Sequence, residues 1–394
     1  MFWKRSIAEP FHRLRRQFPA VLVTGPRQSG KTTFLRHEAG DAAYVSFDDP
    51  LQRQFAAADP NGFLDQFRER PVVLDEVQYV PELFSYLKLR IDAQRDRHGR
   101  FLMSGSQQFQ MMKHVTDSLA GRIAILDLLP FARAEIVGHK TLSLLELIWR
   151  GGYPPVALQP ERREAWLSAY VQTYVERDLR QLQAVKDLRT FELFLGLCAA
   201  RHGQELNLAD LGRHAGVTHP TARAWLSLLE ASYVLWLLPP YFRNLGKRLV
   251  KTPKAYFVDS ALAAHLTRQP DAAALWHGAM GGAFFEGWAV LEAVKAFAAR
   301  GRRPSLYFWR SNDGLEVDLL VETGGRVHAV EIKQTATPLP GHARGLTRLR
   351  QLLGEKLCGE CLLVCNVDST VALPDKVRAL PWRDFPAWVL DTVR

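Results

Sequence analysis

At 394 residues the chain is longer than one ordinary hydrophobic core accommodates, so two to four domains are expected. Its 47% hydrophobic and 23% charged content excludes a disordered or fibrous chain, and no apolar run reaches membrane-spanning length, so a cytoplasmic protein with no membrane segment is expected. The net charge of +10 leans toward a polyanionic partner, although solubility accounts for an excess of Lys and Arg equally well.

In chain order, residues 6–18 read as a basic lead-in helix whose Arg13, Arg15 and Arg16 form a solvated face. The apolar run 20–24 then enters a glycine loop and a helix, and Gly25, Pro26, Arg27, Gln28, Ser29, Gly30, Lys31, Thr32 and Thr33 fill the pattern G-x-x-x-x-G-K-[ST]. Glycines let the backbone curl around a β-phosphate, and loop N–H groups at a helix N-terminus supply donors to an anion. Lys31 is placed for the β- and γ-phosphates and Thr32 for Mg²⁺. A second short strand, 43–49, ends in acids. In the stretch 71–78 three apolar residues run into Asp75 and Glu76: Asp75 would hold the Mg²⁺ shell, and Glu76 would orient or deprotonate the attacking water. The strand at 100–106 ends in hydroxyls, making Ser104 and Ser106 candidates for the γ-phosphate. Arg122 reads either as an arginine finger acting on a neighbouring copy or as a structural arginine.

These residues together resemble a large bacterial and archaeal group of AAA-type P-loop ATPases, related to the STAND ATPases. In that group the ATPase is followed by a winged helix and a C-terminal domain of unknown function. The resemblance implies ATP and Mg²⁺ as cofactors, and a homo-oligomer is expected, a ring among its forms. Gly152 and Pro154 match the group's G-x-P element, which in STAND ATPases lies against the nucleotide; the alternative is a simple helix-breaking turn.

The stretch 206–229 reads as a helix-turn-helix. Gly216 closes its first helix, Thr218 caps the second, and His219, Thr221 and Arg223 point outward, where such residues touch phosphates and base edges. Two wing strands are expected at 233–238 and 255–258. Between them, Arg243, Lys247, Arg248, Lys251 and Lys254 occur with no acid, which suits a phosphate-binding loop for DNA or a face turned to the ATPase.

From Gly281 a helix carrying Glu286 opens an α-β-β-β-α-β order. Asp318 and Glu331 are joined by a hairpin, and alternation puts Glu331 and Lys333 on one strand face, so the three can converge. Two carboxylates suit Mg²⁺, Glu286 could add a ligand, and a lysine beside them can activate water. This order and these residues resemble the PD-(D/E)XK nuclease superfamily, with Val317 in place of the proline before the aspartate. Cys358, Cys361 and Cys365 read as reduced core thiols, because no fourth metal ligand is near.

The expected fold class is α/β: a P-loop NTPase domain (1–140), a helical lid (141–200), a winged helix-turn-helix (201–275) and a restriction-endonuclease-like α/β domain (276–394). The expected function is a Mg²⁺-dependent ATPase that binds and processes DNA through a metal-dependent nuclease site. Its alternative is a STAND-like nucleotide switch whose C-terminal domain binds a partner without cleaving.

Overall fold

The computed structural model describes residues 2–105, 118–137, 142–180, 187–241 and 252–393, with backbone only at 174–180. Ser106, Arg243, Lys247, Arg248 and Lys251 therefore lie outside the described residues. The chain divides into two compact units. One comprises Met1–Phe131 with the short stretches Ala231–Tyr233 and Ala298–Arg302, and the other comprises the rest. No helix among the described residues is long and apolar enough to cross a membrane.

The first unit is built on a parallel sheet of β1 (Ala20–Thr24), β2 (Ala43–Ser46), β3 (Val72–Asp75), β4 (Phe101–Ser104) and β5 (Ile123–Asp127), in the order β2-β3-β4-β1-β5. Every residue of β1 and β3 is buried, as expected for parallel strands covered on both faces. Alternation along β1 splits the core in two. Ala20 and Leu22 join Leu74, Met103, Phe63 and Phe84 on one side, while Val21 and Val23 join Phe11, Phe34 and Leu102 on the other. The strand carrying Ser104 lies between the two that end in the glycine loop and in Asp75. The lead-in helix spans Ala8–Arg15, and its arginines are not the purely solvated face expected. Arg13 donates to the Arg300 carbonyl (2.9 Å) and Arg15 to that of Ala39 (3.1 Å), fastening the helix to its surroundings.

In the second unit, the helices Leu144–Arg150, Pro154–Leu158, Arg163–Arg180 and Leu188–Ala199 precede the helix-turn-helix. Asn207 caps the helix Leu208–Ala215, and Gly216 ends it in the left-handed conformation (φ +72°). Thr218 accepts from the Thr221 N–H at the start of His219–Ala231, whose Trp225 packs edge-on against Phe191 and Phe194. The wing is a three-stranded antiparallel sheet, with β8 (Lys254–Phe257) between β6 (Gln204–Glu205) and β7 (Leu235–Leu238).

The C-terminal region is a mixed six-stranded sheet ordered β13-β14-β12-β11-β10-β9. Its strands are β9 (Leu306–Arg310), β10 (Glu316–Thr323), β11 (Arg326–Ile332), β12 (Cys358–Cys365), β13 (Val371–Leu373) and β14 (Val377–Pro381). β9, β10 and β11 form an antiparallel meander, and β12 runs parallel to β11 after the helix Arg344–Leu357. Leu346, Leu349 and Leu353 of that helix pack on Val317, Leu320, Ala329 and Leu363. All four cysteines are free and buried, as expected for core thiols.

Candidate nucleotide site and carboxylate cluster

The glycine loop leaves the end of β1 with Gly25 at φ +144°, and a Cβ there would stand 2.3 Å from the Leu128 carbonyl oxygen, so only glycine fits. Gln28 (φ +63°) and Gly30 (φ +95°) are also left-handed, which curls the loop over the helix Lys31–Glu38. Lys31 is buried and donates to the carbonyls of Gly25 (3.0 Å) and Pro26 (2.9 Å). The Ser29 hydroxyl is buried with no hydrogen-bond partner among the described residues.

Asp75, buried at the end of β3, accepts from Thr32 Oγ1 (2.8 Å), from the Tyr44 hydroxyl (2.6 Å) and from Ser104 Oγ. Burial, reinforced by the hydrogen bond to Asp75, pushes the Tyr44 phenol up to about 12. Tyr44 is not legible from the sequence, because only the parallel register, in which it pairs with Val73, two residues before Asp75, brings it to the site. Glu76 adopts a left-handed backbone (φ +57°), rare for a non-glycine residue and typical of functional sites. Its N–H donates to Ser104 Oγ (3.1 Å), and Gln78 holds its carboxylate.

Arg5 is a second residue the sequence reading missed. It is buried, donates to the Ser29 carbonyl (2.8 Å) and the Leu129 carbonyl (2.5 Å), and lies over the Phe131 ring. The guanidinium thus ties the glycine loop to the segment after β5. The hydroxyl and carboxylate oxygens of Thr32 and Asp75 are the hard donors Mg²⁺ takes from a protein beside phosphate, and they already meet at 2.8 Å, so this site fits the ion.

Arg122 precedes β5, at the sheet end opposite the glycine loop, and makes a two-point pair with Asp92 (2.8 and 2.9 Å). Within its own chain it is not part of this site. Gly152 and Pro154 belong to the second unit, where the N–H groups of Gly152 (2.7 Å) and Tyr153 (3.2 Å) are taken by the buried carboxylate of Asp259, which also caps Ser260–Leu266. Gly151 is required there, because a Cβ would meet Asp259 Oδ1 at 2.4 Å.

On the C-terminal sheet, the hairpin register pairs Leu319 with Val330, and one step further Asp318 comes beside Glu331. Lys333 Nζ lies 2.7 Å from Glu331 and 3.7 Å from Asp318, so the three expected residues do converge. Asp318 Oδ2 also accepts the Ile332 N–H (2.8 Å), while Glu331 Oε2 is buried without a partner among the described residues. Burial, with Asp318 nearby and only partly offset by Lys333, pushes the Glu331 carboxyl up to about 8.

Two expectations are corrected here. Lys254 is not an exposed phosphate contact: it is 5% exposed, bonds Glu286 Oε1 at 2.8 Å and contacts Glu316 directly. Burial pulls its ammonium down, but Glu286, Asp318 and Glu316 outweigh this and the net shift is upward. Glu286 is correspondingly not a free metal ligand, because Lys254 and the Tyr256 hydroxyl (2.5 Å) both hold it. Among the described residues no three His, Cys, Asp or Glu side chains are arranged to hold a metal ion. The carboxylates as arranged therefore do not fit a Mg²⁺ that would include Glu286. On the helix His219–Ala231, His219 and Arg223 are exposed and Thr221 is half-buried.

Residues 17–137 match the family described as AAA domain, 141–273 that described as domain of unknown function DUF8612, and 281–385 that described as domain of unknown function DUF4143. The uncharacterized protein Rv2008c of Mycobacterium tuberculosis is 35% identical over 383 residues, which cover 96% of this chain and 83% of that protein. The uncharacterized protein Mb2031c of Mycobacterium bovis matches to the same extent, 35% over 383 residues. Among solved structures, the Walker-type ATPase of Pyrococcus abyssi is similar with a TM-score of 0.46 at 14% identity, covering 68% of this chain and 96% of that one.

Proposed function

The chain belongs to one family with these mycobacterial proteins and carries an AAA-type P-loop ATPase domain followed by DUF8612 and DUF4143, and from that premise we propose that it is a Mg²⁺-dependent ATPase that acts on DNA. The observation that carries the ATPase half is Asp75 bonded at once to Thr32 and Ser104 beneath the glycine loop. Bound Mg²⁺ would neutralise charge on the triphosphate. Lys31 turns from the loop carbonyls to the β- and γ-phosphates, loop N–H groups grip the phosphates, and Glu76 orients the attacking water. Arg122 can reach a nucleotide only on a neighbouring copy, so a homo-oligomer, a ring among its forms, belongs to this reading.

The DNA half is supported by the helix-turn-helix with His219, Thr221 and Arg223 on its second helix, by the basic run Arg243, Lys247, Arg248 and Lys251, and by the net charge of +10. The convergence of Asp318, Glu331 and Lys333 supports a phosphodiester-cleaving site in the C-terminal region. A second reading, a nucleotide-switched regulator whose C-terminal domain binds without cutting, is favoured by the pairing of Glu286 with Lys254.

The test is ATP turnover with and without DNA, and plasmid nicking in Mn²⁺. Lys31→Ala should lose ATP binding. Glu76→Gln should bind ATP while turnover falls about 10²-fold or more. Wild type should nick plasmid and Lys333→Ala should not. Equal nicking by both, or by neither, removes the cleavage claim, and turnover indifferent to Lys31→Ala removes the ATPase.

A further inference from the structure

The first unit holds a cavity of about 320 Å³ at the sheet end opposite the glycine loop, beside Phe101, the first residue of β4. Its lining carries four guanidinium groups, Arg68, Arg90, Arg97 and Arg100, and one carboxylate, Glu69, with an apolar wall of buried Leu64, Ile91 and Phe101. Asp65 pairs with Arg68 (2.9 Å) and Arg90 (2.5 Å). Arg97 and Arg100 bond no carboxylate among the described residues. Both donate instead to one neutral oxygen, Gln94 Oε1 (3.2 and 3.3 Å), just past the helix Leu83–Ala93. Their other bonds go to the carbonyls of Arg68 (3.3 Å) and Phe67 (2.9 Å). Arg97 thus uses only Nη1, which leaves its Nε–Nη2 edge for an incoming acceptor, and Arg100 Nε is buried with no partner among the described residues. Two like charges drawn to one uncharged acceptor repel each other. Burial pulls the Arg100 guanidinium down, the charge of Arg97 adds to this, and Glu69 offsets only part of it. Four guanidinium charges against Asp65 and Glu69 leave an excess of two.

We propose that this cavity binds a small phosphorylated molecule, with Arg97 and Arg100 holding its phosphate. A phosphate monoester carries about −1.5 to −2 charges at neutral pH and three acceptor oxygens, so it offsets the excess and takes both guanidinium forks at once. A carboxylate, with one charge and two oxygens, fills a single fork. The volume is that of a small-molecule site, and the apolar wall receives the rest of the ligand while its low dielectric strengthens the charged contacts. A nucleic acid spreads its phosphates along a surface instead of sending one into a cavity of this size. Because the glycine loop leaves the other end of β1, the ligand is bound alongside nucleotide and not in its place.

Calorimetric titration of the full-length protein with phenyl phosphate, the glycine loop being filled with ADP and Mg²⁺, tests this. Phenyl phosphate should bind at one site, and benzoate about tenfold more weakly. Arg97→Gln should weaken phenyl phosphate about tenfold or more, and Arg97→Lys should recover little, because an ammonium has no fork. Equal affinity in the parent and Arg97→Gln, or benzoate bound as tightly as the ester, overturns the proposal. Inorganic phosphate should bind more weakly than the ester, which alone reaches the apolar wall; equal binding overturns the organic part of the ligand and leaves the anion site standing. A measurement on the unaltered chain guards against misfolding: phenylglyoxal labelling, read by mass spectrometry, should fall several-fold at Arg97 in saturating phenyl phosphate. Undiminished labelling there overturns the proposal. So does protection of Arg97 by an oligonucleotide but not by phenyl phosphate, which gives the cavity to nucleic acid.

Discussion

Arg5 is a case in which one side chain fixes a loop. Its guanidinium is buried, and a planar fork of donors holds two carbonyls far apart in sequence, those of Ser29 and Leu129. Hydrogen bonds made by a charged donor contribute about 1.5–3 kcal/mol each, so Arg5→Ala is expected to destabilise the first unit by about 2–3 kcal/mol and to weaken ATP binding. Arg5→Lys should restore little of it, since a single ammonium cannot span both carbonyls. Melting curves and nucleotide titrations of the two variants check this, and equal ATP affinity in all three proteins would mean that Arg5 does not shape the loop. The glycine loop, Asp75 and Glu76 were legible in the sequence because their chemistry is contiguous, three or four residue types at fixed spacing. Arg5 and Tyr44 were not, because their roles depend on which strands lie side by side. Lys254 misled for the same reason: within its own run it has no acid, and its partner Glu286 is 32 residues away.

At the scale of elements, the junction between the wing and the helix Gly281–Ala299 is closed by His202. The ring is fully buried, accepts the Phe257 N–H on Nδ1 (3.1 Å) and packs on Tyr256, Phe257 and Phe284. Burial alone lowers its pKa to about 3. The folded state therefore binds fewer protons than the unfolded state between about pH 3 and 6.5, so stability present above that window is lost as pH falls through it. From pH 7 to pH 5 the loss from this group is about 2 kcal/mol, and His202→Asn, which can still accept the Phe257 N–H, should remove that part of the slope. Denaturant midpoints at the two pH values decide it; parallel slopes for both proteins would sink it. The same contact demands Gly287, where a Cβ would stand 2.2 Å from His202 Nε2, so Gly287→Ala should cost about 1–3 kcal/mol by overpacking. Most elements were legible from periodicity: the strand-loop-helix, the capped helix-turn-helix and the three-strand meander fall where the pattern puts them. β13 and β14 were not, because β13 has three residues and β14 ends in Pro381, too little pattern to stand out from a loop. A register break between Val317 and Leu320 was equally hidden, since a bulge is invisible to strict alternation.

For the whole molecule, the division into two compact units has a thermodynamic consequence. Each unit carries its own buried core, the first around β1 and its neighbours, the second around the C-terminal sheet and the helix Arg344–Leu357. All the residues assigned to nucleotide within the described chain, from Gly25 to Ser104, apart from Gly152 and Pro154, fall in the first unit. A ligand that binds only the folded form stabilises what it binds, by about 2.7 kcal/mol at a hundredfold excess over its dissociation constant. Calorimetry is therefore expected to resolve two transitions, and ATP with Mg²⁺ should raise one of them while leaving the other in place. Lys31→Ala should abolish the shift. Arg5→Ala should lower that same transition before any nucleotide is added, which identifies it as the unit holding the glycine loop. If nucleotide raised both transitions together, the units would unfold as one, and the independence of their cores would be wrong. DNA supplies the complementary perturbation: if the helix-turn-helix and the basic run bind it, the transition that ATP leaves unmoved is the one DNA should raise. Raising salt should shrink that shift, because each phosphate neutralised by Lys or Arg adds about 0.9 to the logarithmic salt slope. Replacing Lys247, Arg248 and Lys251 together by alanine should therefore flatten the slope by up to about 2.7, and an unchanged slope would take that run off the nucleic acid.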